Sequence, residues 1–180
     1  MKKRVIEFLV LLAALAPFYF VWNAHGAGFQ MYNVSVVSVH DGDTLTVVRE
    51  TDEPAKQVKV RLWGIDAPEL KQELGPEAKA ALEKLVLGKK FVFKDYGADA
   101  YSRVVGDLLW PMTCGSVNQE IVFSGWAWWY EEFAPRATEL HTAEASAREA
   151  KLGVWRRPKP VAPWVFRNPG KYAKKRLSPR

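Results

Sequence analysis

The sequence holds one cysteine, Cys114, and three scattered histidines, His25, His40 and His141, in 180 residues. A single thiol excludes an internal disulfide, and no Cys/His set stands at zinc-ligand spacing, so neither staple holds the fold together. Cys114 reads as a small buried hydrophobe, and the histidines as non-ligands. Internal repeats are missing. The longest apolar stretch, Phe8 to Trp22, has 15 residues and contains Pro17, short of the roughly 20 that a spanning helix needs. Acidic residues stop at Glu149; from Arg156 onward nine Lys or Arg follow with no acid at all.

The N-terminus has the three parts of an export signal: Lys2, Lys3 and Arg4, the apolar stretch, and the small-residue end Ala24-His25-Gly26. The expected outcome is a periplasmic or secreted protein cleaved near Gly26. The alternative is an uncleaved segment that keeps the chain in contact with a membrane. The net charge of +6 is unevenly spread, because the basic tail outweighs a net acidic segment from 27 to 155. Hydrophobic content of 48% with 26% charged residues is ordinary for one globular domain with its own core. The organisation expected is therefore 1–26 signal or anchor, 27–32 linker, 33–155 domain, and 156–180 a basic, proline-containing tail. In that tail "PKPVAPWVF" reads as non-helical and "GKYAKKRLSPR" as mobile. The state expected is a monomer.

"YNVSVVSVHDGDTLTVV" reads as two strands joined at Asp41-Gly42-Asp43, a strong hairpin signal between alternating apolar runs. In "KQVKVRLWGI", Val58, Val60 and Leu62 alternate with Lys59, Arg61 and Trp63, as in a half-buried strand. "GPEAKAALEKLVLG" predicts a helix with Pro76 in its first turn and Gly88 as its stop. "KKFVFKDY" and "RVVGDLLW" supply two more strands; "VNQEIVFSG" and "ATELHTAEASAREAKLGVW" two more helices. Five strands with interspersed helices predict an α+β fold, a small closed barrel with helices packed on it. Trp126, Trp128 and Trp129 read mainly as core filling between barrel and last helix, with base stacking as the other use.

Asp43, Asp66 and Glu69 carry the chemical interest. Singly they are ordinary turn residues. Brought to one barrel rim they would repel unless a cation lay between them, and an all-oxygen set suits a hard ion such as Ca²⁺. Arg61 and Arg103 present planar forks that suit phosphate oxygens, with surface ion pairs as the competing reading. Tyr101, two residues before Arg103, is the candidate nucleotide contact.

In order along the chain, "DGDT", "VRLWGIDAPE", "GPEAKAAL", "DAYSRVVG", "GWAWWY" and "EASAREAKLGVW" resemble the thermonuclease (staphylococcal nuclease-like) family over about residues 33 to 155. The resemblance implies an OB-type five-stranded β-barrel with three packed α-helices, and Ca²⁺-dependent hydrolysis of DNA and RNA. It implies Asp43, Asp66 and the Ala67 carbonyl as metal ligands with Asp41 close by, and Glu69, Arg61 and Arg103 as catalytic residues. Ala67 stands where the best-known members have Thr, and "WPMTCGS" departs from their short turn. The rival expectations are a non-catalytic nucleic-acid-binding module and a membrane-held interaction module of the same fold. The full complement of Asp43, Asp66, Glu69, Arg61 and Arg103 favours the enzyme.

Overall fold

A computed structural model describes residues 29–113 and 115–171. The N-terminal segment read as an export signal, Cys114 and the end of the basic tail lie outside the described residues. Five strands close into a barrel in the order β1 (Gln30–Val39), β2 (Thr44–Arg49), β3 (Gln57–Leu62), β6 (Val104–Leu109), β5 (Lys90–Ala98). Neighbours are antiparallel except β3 and β6, which run parallel. A two-residue strand β4 (Ile65–Asp66) pairs outside the barrel with β7 (Trp128–Trp129). The helices are α1 (Gly75–Val86), α2 (Val117–Phe123), α3 (Thr138–Glu149) and a short α4 (Pro163–Arg167), with a 3-10 turn at Gly153–Arg156. This is the closed five-stranded α+β barrel that the strand pattern predicts.

Alternation drives closure. Val34, Val36, Leu45, Val47, Val60, Leu62, Phe91, Phe93 and Leu108 all point inward and are fully buried, as the period-two pattern requires. β1 is long enough to serve both neighbours: Gln30 to Ser35 pairs with β5 and Val34 to Val39 with β2. A register shift between Val36 and Ser38 is the bulge that bends the strand around the barrel. The helices bury apolar faces against it, Ala78, Leu82 and Val86 from α1, and Val117, Ile121 and Val122 from α2. α3 contributes Leu140, Ala143 and Ala147.

The tryptophans are mainly structural. Trp128 is buried and meets Trp155 edge-on at 5.0 Å. Trp126 and Trp129 pack partly buried against the core, and the Trp129 indole N–H donates to the Ala134 carbonyl at 2.9 Å.

The segment after Trp155 departs from the sequence reading. "PKPVAPWVF" ends in α4, with Pro163 at its start. Proline is tolerated there because the first helical N–H has no intrahelical partner, so the proline that argued against a helix opens one.

Candidate active site

The β1–β2 hairpin, the end of β3 and strand β4 bring four of the predicted residues into one cluster. Asp43 closes the hairpin, where the Leu62 N–H donates to its carbonyl at 2.8 Å. Its carboxylate accepts from the Thr44 hydroxyl at 2.9 Å and from the Ala67 N–H at 2.8 Å. Its own N–H donates to Asp41 at 3.0 Å. Gly42 lets the hairpin lie against Ala67: a Cβ at Gly42 would stand 2.5 Å from the Ala67 Cβ.

Arg61 lies opposite Thr44 in the β2–β3 ladder, on the outer face. One of its terminal nitrogens, Nη2, reaches Asp43 and Asp66 at 3.1 Å each, and Nη1 donates to the Leu62 carbonyl at 2.7 Å. Asp66 itself is wholly buried. Its position depends on the turn that follows β3, which is pinned from two sides. The Tyr130 N–H donates to the Gly64 carbonyl at 2.8 Å. The buried Asn118 amide, at the start of α2, donates to the carbonyls of Trp63 and Gly106 at 3.0 and 3.2 Å.

Glu69 stands on the loop before α1. Its N–H donates to the Gln72 side chain at 3.2 Å, and its carbonyl accepts from the Gln72 N–H at 2.8 Å. Gly75 permits the close turn, since a Cβ there would come within 1.9 Å of the Glu69 carbonyl oxygen. Glu69 is held beside Asp66 by a residue that the sequence reading did not single out. Arg167, the last residue of α4, donates to both Asp66 oxygens at 3.1 and 2.8 Å and to Glu69 Oε1 at 2.6 Å. A lone arginine in a proline-rich basic tail carries no periodicity, and its partners lie about a hundred residues upstream, so local pattern gave no signal.

Arg103 and Tyr101 sit on the β5–β6 loop rather than within this cluster. The Arg103 guanidinium pairs with Asp99 at 2.7 and 2.8 Å, and Tyr101 is exposed, its ring 5.5 Å from that guanidinium. Val104 pairs with Val60 and Val105 with Arg61 in the parallel ladder. Residue 103 therefore continues the outward face that carries Arg61.

The electrostatics favour a cation. Burial, and then the neighbouring Asp43 charge, push Asp41 up to about 6. Burial likewise raises Asp66 to about 6; the bond from Arg167 opposes it, and Asp43 adds to it. Asp43 and Asp66 converge on a single Arg61 nitrogen, so the two carboxylates already bracket a positive charge. Asp43 and Asp66 offer oxygen donors alone, the kind that hard cations take in preference to thiophilic metals. Among the described residues no group of three or more His, Cys, Asp or Glu side chains is gathered to hold an ion, so carbonyl and water oxygens must complete any such shell.

Comparison with known proteins fits this arrangement. The family described as "Staphylococcal nuclease homologue" matches residues 59–157, a span that includes Arg61, Asp66, Glu69 and Arg103. The chain is 37% identical over 133 residues to a protein named "Uncharacterized endonuclease" from Escherichia coli, covering 74% of this chain and 83% of that one. A protein of the same name from Haemophilus influenzae is 31% identical over 158 residues, 88% of this chain and 84% of its own. "Staphylococcal-like nuclease CAN1" of Arabidopsis thaliana is 40% identical over 114 residues, 63% of this chain and 34% of the plant protein. With this barrel, this cluster and these relatives, the chain belongs to the staphylococcal nuclease-like family.

Proposed function

We propose that the protein is a Ca²⁺-dependent nuclease that hydrolyses phosphodiester bonds in DNA and RNA. The observation that carries this reading is the juxtaposition of Asp43, Asp66, Arg61 and Glu69 at the barrel rim, in a chain of a nuclease family. Asp43, Asp66 and the Ala67 carbonyl would hold the ion, which when bound supplies positive charge to a phosphate oxygen. Glu69 takes the proton from the attacking water, a general-base role suited to a carboxylate within reach of solvent. Arg61, rigidly placed on a strand, stabilises the charge that builds on the equatorial phosphate oxygens, and Arg103 joins it from the β5–β6 loop once it turns from Asp99 to substrate. Tyr101, exposed beside Arg103, offers a ring face to a base.

The direct test is digestion of single-stranded DNA and RNA by the purified protein in Ca²⁺ and in excess chelator. Cleavage of both substrates that stops on chelation is expected; cleavage unaffected by chelation overturns the metal assignment. Export belongs to the same proposal. No helix of the described residues is long and apolar enough to cross a membrane, and the N-terminal signal lies outside them. Intact-mass measurement of extracytoplasmic material should give a chain starting near Ala27, whereas a retained Met1 supports the anchor.

A further inference from the structure

The position of Arg167 has a chemical consequence that lies outside the family-matched span, which stops at residue 157. Residues 157 to 167 run as a strap over the loop that carries Glu69. Arg157 pairs with Glu73 at 2.8 Å, and the Gln72 amide donates to the Val161 carbonyl at 2.6 Å. Trp164 stacks flat on Tyr130 with ring centroids 5.1 Å apart, and Pro163 is buried. Val161 and Phe166 face a cavity of about 240 Å³ shared with Leu74, Trp128 and Val154. The strap therefore has its own seat, and it ends by inserting a guanidinium between Asp66 and Glu69.

We infer that Arg167 is a tethered cation that competes with the divalent metal for Asp66 and at the same time occupies the general base Glu69, so that docking of α4 and loading of the site oppose each other. The inference rests on the metal-dependent reading of the same carboxylates. Arg167 engages both Asp66 oxygens and the oxygen of Glu69. A metal drawn to Asp66 must share those oxygens with a guanidinium, and two positive charges so close repel strongly. Glu69 Oε1 is also occupied by the charge-assisted bond at 2.6 Å, and it opens to an attacking water only when that bond is given up. Arg61 differs from Arg167 in this respect. It belongs to a rigid strand, whereas Arg167 stands on a five-residue helix, too short to persist without the seat formed by Pro163, Trp164 and Phe166.

The test is Ca²⁺ titration by calorimetry of the purified wild type, Arg167→Ala, Trp164→Ala and Asp66→Asn, with circular dichroism to verify folding. Removing the competitor should tighten Ca²⁺ binding roughly 5- to 150-fold in Arg167→Ala, the usual range for coupled sites. Trp164→Ala keeps the arginine and loosens its seat, so it should shift affinity in the same direction by less, and it decides the matter if Arg167→Ala misfolds. Reciprocity requires that Ca²⁺ speed hydrogen exchange at the Val165 and Phe166 amides, which donate to the Ala162 carbonyl. Unchanged or weaker Ca²⁺ binding in folded Arg167→Ala, with binding abolished in Asp66→Asn, overturns the competition and leaves the metal site standing. Absence of Ca²⁺ binding in both wild type and Arg167→Ala overturns the metal reading and the competition with it.

Discussion

At the scale of single residues, the site is built from charges whose partners differ in kind. Glu69 meets Arg167, Arg103 meets Asp99, and Arg61 meets two buried aspartates. Substitution should separate these roles. Glu69→Gln and Arg103→Ala are expected to lower turnover on single-stranded DNA by roughly 10²–10³-fold, typical for loss of one preorganised charge. Thermal unfolding should change little, because both side chains are partly solvent-facing. Arg61→Ala should lose activity to a similar degree and also stability, by about 3 kcal/mol, because it leaves the almost fully buried Asp43 without its cation while Asp66 keeps Arg167. Full activity in any of the three, with metal binding unchanged, removes that residue from the mechanism.

At the scale of elements, α3 carries a buried acid that serves no proposed catalytic step. Glu144 is buried on the helix face toward the core and is paired at 3.1 Å with Arg148, one turn on. Burial raises its carboxyl above the usual range, and the Arg148 charge opposes the shift only in part. The folded state therefore holds the proton more tightly than the unfolded chain. The associated stability is fully present below the unfolded pKa and is lost as pH rises through the folded one. Glu144→Gln removes this titration. Denaturant unfolding of both proteins from pH 4 to pH 7 should show the variant gaining on the wild type as pH rises. A constant difference between them means that Glu144 does not titrate in this window.

At the scale of the whole molecule, charge is divided between a net acidic domain and a basic C-terminus. Nucleic acid must be drawn to this chain by local positive charge, and the residues after Trp155 hold the largest supply. Removing residues 168 to 180 deletes Lys171, Lys174, Lys175, Arg176 and Arg180 but keeps Arg167 and α4. If these groups meet phosphates, affinity should fall, and the slope of log affinity against log salt should become shallower by roughly 0.7 per lost contact on single strands. Turnover at saturating substrate should hold, since the proposed catalytic groups all lie upstream. An unchanged salt slope assigns the tail no part in substrate capture.

The sequence by itself determined the barrel strands, the hairpin at Asp41-Gly42-Asp43 and the first three helices. Each is written in a period of 2 or 3.6 residues, or in turn chemistry, that a short window contains. It also determined which acids and arginines to watch, through motifs whose order resembles a nuclease family. Only the tertiary structure decided their surroundings. The parallel pairing of β3 with β6 puts the strand that follows Arg103 beside the one that carries Arg61. The buried Asn118 amide anchors the turn before Asp66 from 55 residues away. Arg167 reaches Asp66 across 101 residues. Such contacts have no local period, because they form only after the barrel has closed and fixed where its loops end. The proline that made the tail look non-helical shows the same limit from the other side. Pro163 forbids a helix through its position yet suits the first residue of one, and the seat formed by Tyr130 and the Glu69 loop decides which applies.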